Sequence, residues 1–269
     1  MFSSNYSEPM FIGIWEAKSS VPADRSLSDP VGFLNDYSEL LWGVEDESVE
    51  RAWLVNDAGS RDDFHSSVNA PDYWFQVGVR AAAANATLPC YALTVLADTF
   101  RSASSSPLAH VDFAVPLQQL KNLNSGVLPS EGLSGVVGLE TNENRRDISV
   151  EVLSGHKNAF SDDVLNSLAS RISTALAIEV DSRCTFSKES PPISDGIWNG
   201  PGVASALLSF SSGLHSLPSI GWMTGLIAEI LASNGIDHPV YISWKFSEKT
   251  SGWPMLFHKM QTRFLGFLR

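Results

Sequence analysis

Apolar and polar residues alternate from Tyr73 to Arg80. Tyr73, Phe75, Val77 and Val79 fall on one side, and Trp74, Gln76, Gly78 and Arg80 on the other. Successive side chains of a strand point to opposite faces, so this period of two predicts a strand with one buried face. The segments 11–18 (FIGIWEAK), 51–57 (RAWLVND), 90–98 (CYALTVLAD) and 110–117 (HVDFAVPL) are short aromatic or β-branched runs and predict further strands. Short connections between them favour antiparallel pairing. ISVEVLS and GVVGLET flank the polar turn NENRRD and predict a hairpin, and VYISWKF predicts a strand near the end of the chain.

A second period appears elsewhere. Val164, Leu165, Leu168, Ile172 and Leu176 recur at helical spacing, with Ser161 placed to cap and Asp162 and Asp163 placed to meet the positive end, which predicts a helix over 161–178. Asp29 and Pro30 predict a helix start ahead of Val31, Leu34, Leu40 and Leu41. The most apolar stretch, Gly202–Ala232, contains His215, Pro218 and Glu229. Neither side of Pro218 supplies the roughly 20 apolar residues of a membrane span, so two buried helices flanking the proline are expected. A closing helix is expected from about Pro254, with Phe257, Met260, Phe264 and Leu268 on one face.

Strands in hairpins with helices between them, rather than strict βαβ alternation, predict an α+β fold: a mostly antiparallel sheet with helices packed on one face. Pro-, Gly- and Ser-rich stretches near 121–135 and 187–202 are the expected linkers. The 269 residues form one α+β domain, or two lobes at about 1–125 and 134–269. No internal repeat is apparent in the letters alone.

Charge changes the picture. The chain carries a formal −12, which argues against nucleic acid, since phosphate binding rests on Lys and Arg. Residues 24–63 hold eleven acidic and three basic side chains, a net of −8. Concentrated like charge suits a surface that steers a basic protein partner. Glu45, Asp46, Glu47, Glu50, Asp62 and Asp63 are the candidate contacts, with Trp42 and Trp53 as apolar anchors. The opening MFSSNYSEP lacks a secretory signal pattern, so a cytoplasmic location is expected. Cys90 and Cys184 are then expected to be core thiols.

Chemistry is sparse. The phosphate-cradling, dinucleotide and nucleophile-elbow patterns are missing from the sequence, and the six histidines stand far apart, so no cofactor and no metal are expected. His110 and Asp112 would project from one strand face, where a carboxylate could orient an imidazole. With His156 they make the first candidates for a dispersed hydrolase or transferase site.

FIGIWEAK, the segment from Trp53 to Asp63, PSIGWMTGL from Pro218 to Leu226, and HVDFAVP together resemble the order of features in immunity proteins of bacterial polymorphic-toxin and contact-dependent competition systems. The resemblance spans about half the chain. It implies a cytosolic, acidic α+β protein that binds and blocks a cognate toxin. The turn at NENRRD and the 187–202 linker have no counterpart in that pattern, and no binding residue carries over by motif. The expected function is therefore non-enzymatic protein binding.

Overall fold

The alternating segments assemble into one antiparallel sheet. The computed structural model of the chain describes residues 10–16, 53–60, 71–79, 94, 107–120, 146–156, 158–185, 204–212 and 216–247. These contain the strands β1 (Met10–Glu16), β2 (Trp53–Ser60), β3 (Tyr73–Val79), β4 (Leu108–Val115), β5 (Arg146–Ser154), β6 (Asp181–Thr185), β7 (Ala204–Ser212) and β8 (Val240–Phe246). The helices are α1 (Leu117–Leu120), α2 (Asp162–Leu176) and α3 (Leu217–Ser233). The strands lie side by side in the order β2-β3-β1-β4-β8-β5-β7-β6. All neighbouring pairs are antiparallel.

The central strands turn alternate apolar residues toward the helices. Ile12 and Ile14 of β1, Val111 and Phe113 of β4, and Ile242 and Trp244 of β8 are fully enclosed in one core with residues of α2 and α3. The fold is thus α+β with helices packed against one sheet face, as the patterning predicts. Burying each such side chain contributes about 1.5–3 kcal/mol.

The two long helices are set by local chemistry. Ser161 Oγ accepts the Val164 N–H at 3.4 Å and Asp162 and Asp163 occupy the first turn of α2, so one of its orphan donors and its positive end are both met. Helix α2 stops at Ala177, which takes the left-handed conformation (φ 51°) and bonds the Ser173 carbonyl. Helix α3 buries residues on every side, as an apolar helix does when it is enclosed by core. Among the described residues no helix is long and apolar enough to cross a membrane.

Four expectations change. Gly202–Ala232 is not two helices: residues 204–212 form β7, and Pro218 sits in the first turn of α3, where its missing N–H costs nothing. Ala204, Ala206, Leu208 and Phe210 are buried at period two, a pattern that the Ser and Ala content disguises. In the segment 90–98, expected as a strand, Thr94 is helical and buried; a short apolar run fits either structure. Cys184 is exposed rather than in the core, because β6, which the patterning misses, is the outermost strand on its side. The hairpin expected between GVVGLET and 148–154 does not form, because β5 pairs with β7 on one edge and β8 on the other. Cys90, the expected helices at 30–41 and from Pro254, and GVVGLET itself lie outside the described residues.

Candidate functional site

The face of the sheet away from the helices carries a polar cluster at its centre. A row of register partners, Trp74, Gly13, Asp112, Ser243 and Glu151, crosses β3, β1, β4, β8 and β5. His110 and Tyr241 stand beside this row on β4 and β8.

Asp112 is fully buried. Burying a carboxylate is costly unless its charge is compensated. The Tyr241 hydroxyl donates to Asp112 Oδ2, and His110 Nε2 lies in ion-pair contact with Oδ1, outside hydrogen-bond alignment. Burial first, then the Asp112 charge and the hydrogen bond to it, push the Tyr241 phenol well above its ordinary value near 10. Tyr241 is therefore a permanent donor at neutral pH.

His110 Nε2 also lies 2.8 Å from Ser243 Oγ. The two atoms share a hydrogen bond whose donor is set by the imidazole tautomer. In a serine-hydrolase triad the carboxylate holds Nδ1 and leaves Nε2 to take the hydroxyl proton. Here one nitrogen meets both groups. The arrangement orients side chains around a buried carboxylate and departs from the geometry that activates a serine.

Aromatic rings frame the cluster. The Trp15 indole stacks on the His110 ring with centroids 4.5 Å apart. Gly13 makes this possible: a Cβ there would stand 2.9 Å from the Trp15 ring. Further along the same face Ser205 Oγ donates to Glu151 Oε1 at 3.0 Å, and Lys245 Nζ lies 3.5 Å from Glu151 Oε2.

His156 belongs to another place. It follows β5, where its ring stacks on His238 with centroids 4.0 Å apart, and Ser154 Oγ lies 2.6 Å from His238 Nε2. The structure thus brings His110 to Asp112 and leaves His156 out, adding Tyr241 and Ser243, which the sequence does not single out because β8 joins β4 only through the sheet. Among the described residues no group of three His, Cys, Asp or Glu could hold a metal ion.

Of the candidate partner contacts, Trp53 opens β2, the outermost strand on its side. Trp42, Glu45, Asp46, Glu47, Glu50, Asp62 and Asp63 lie outside the described residues. In comparison with known proteins the chain matches no family model and no curated protein.

Proposed function

We propose that this protein is a non-enzymatic, cytoplasmic binding protein that neutralises a cognate toxin or effector by occupying a basic surface on it. One observation carries the reading: β2 is an outermost strand of the sheet, and the acidic residues bracket it in sequence. Glu45, Asp46, Glu47 and Glu50 come shortly before Trp53, and Asp62 and Asp63 shortly after Ser60. An outer strand offers backbone donors and acceptors to a partner, and bracketing acidic residues steer a cationic one toward it. Trp42 and Trp53 supply the apolar anchoring that interface energy tends to come from. The resemblance to immunity proteins agrees with this chemistry.

A hydrolase or transferase built on His110, Asp112 and His156 draws less support. His156 is not with the other two, and His110 Nε2 and the Asp112 carboxylate are engaged with each other and with β8.

The test is a reversal of Glu45, Asp46, Glu47 and Glu50 to Lys, with association measured against the product of an adjacent toxin-domain gene. At low salt the variant is expected to associate about 10- to 1000-fold more slowly with its melting temperature little changed, because steering charges act on the on-rate and exposed charges add little stability. A folded, monodisperse variant whose on-rate and salt dependence match the parent overturns the reading.

A further inference from the structure

The strand order hides a repeat. Numbering β5 to β8 afresh as one to four turns β2-β3-β1-β4-β8-β5-β7-β6 into 2-3-1-4 followed by 4-1-3-2, a sequence that reads the same from either edge. Each half is a split unit in which the third strand lies between the first two, and the fourth flanks the first. In the second half α2 connects strands one and two, and α3 connects strands three and four. In the first half the corresponding connection between β3 and β4 contains Thr94, helical and buried, as Thr224 of α3 is.

The letters agree once the topology aligns them. Ser28-Asp29-Pro30-Val31 follows β1 as Ser161-Asp162-Asp163-Val164 follows β5. Leu88-Pro89 precedes Thr94 as Leu217-Pro218 precedes Thr224.

We infer that the chain is a tandem pair of four-stranded units with one shared strand order, the second of them a β-α-β-β-α-β unit, related by an approximate two-fold axis through the β4–β8 pairing, and that His110, Asp112, Tyr241 and Ser243 are the side-chain lock between them. The pairing runs from His110–Lys245 to Val115–Val240, so the axis falls near Asp112–Ser243 and Phe113–Ile242, at the polar cluster. One unit supplies the carboxylate and the imidazole, the other two hydroxyls, and both cross-axis contacts, Tyr241 to Asp112 and His110 to Ser243, join unlike units. Pairing β4 with β4 of a second copy would instead bring two buried Asp112 carboxylates to the same axis, where like charges repel strongly. The lock therefore selects the partner unit within the chain over the same unit of another copy. This inference does not depend on what the protein binds.

The test places a protease site within residues 121–135 of the full chain and cleaves the folded protein. Native mass spectrometry is expected to find the two fragments as a 1:1 complex with the mass of the uncleaved chain plus one water. In the cleaved form Asp112→Asn and Tyr241→Phe should each raise the fragment dissociation constant at least about 10-fold, the effect of losing one buried hydrogen bond to a charged group. Tyr241→Phe keeps the ring in place, so it decides the matter if Asp112→Asn fails to fold. Fragments that separate on cleavage without substitution overturn the tandem docking. A cleaved Tyr241→Phe complex as tight as the parent overturns the lock.

Discussion

Tyr241 donates its hydroxyl hydrogen bond to the fully buried carboxylate of Asp112, across the joint between β4 and β8. The contact links residues 129 apart in the chain and compensates a charge that would otherwise be costly to enclose.

Its pH dependence has a definite sign. The folded phenol titrates above its ordinary value, so between the two values the folded chain holds a proton that the unfolded chain has lost. Stability from this group is intact below about pH 10 and falls above it by about 1.4 kcal/mol per pH unit. Tyr241→Phe lacks this dependence. The variant is expected to be about 1–3 kcal/mol less stable than the parent at pH 7, with the gap narrowing as denaturant titrations are taken past pH 10. A gap independent of pH would contradict the assignment.

A buried hydrogen bond from Trp244 Nε1 to Thr224 Oγ1 at 2.9 Å ties helix α3 to the sheet, while Thr224 Oγ1 itself donates to the Ile220 carbonyl. Thr224→Val keeps the shape and removes the acceptor. The orphaned indole N–H should lower stability by about 1–3 kcal/mol, measured by urea unfolding.

Ala177 ends α2 with φ 51°, where a Cβ is crowded and glycine is not. Ala177→Gly should therefore stabilise the protein by about 0.5–1 kcal/mol, the relief of strain being partly offset by the entropy glycine loses on folding. Thermal unfolding that shows no gain would mean the cap tolerates its side chain without strain.

Gly13→Ala would place a Cβ 2.9 Å from the Trp15 ring and force the indole off His110. The ring-current shielding of the His110 ring protons should weaken in the NMR spectrum, with a stability loss of about 1–3 kcal/mol from the crowding. Unchanged His110 resonances would argue against the stack.

The strands FIGIWEAK, YWFQVGVRA, HVDFAVPL and VYISWKF and the helix capped by Ser161 were legible in the letters, because period and capping are local properties. The antiparallel α+β class follows from them. Strand β7 was not legible as a strand, since serines and alanines carry little β signal, and β6 was missed because four of its five residues are polar and it has no periodic apolar face.

The sequence by itself determined that His110 and Asp112 share a strand face, since residues two apart on a strand must. Only the tertiary structure decided what they meet. Tyr241 and Ser243 reach them through the β4–β8 pairing, and that pairing joins the last strand of each half rather than strands adjacent in the chain. The repeat was hidden for the same reason: a few shared letters at helix starts carry little signal, whereas strand order records the path of the whole backbone. Local patterning fixes which residues face inward, but which strands become neighbours is set by how the complete set of apolar faces can be buried together.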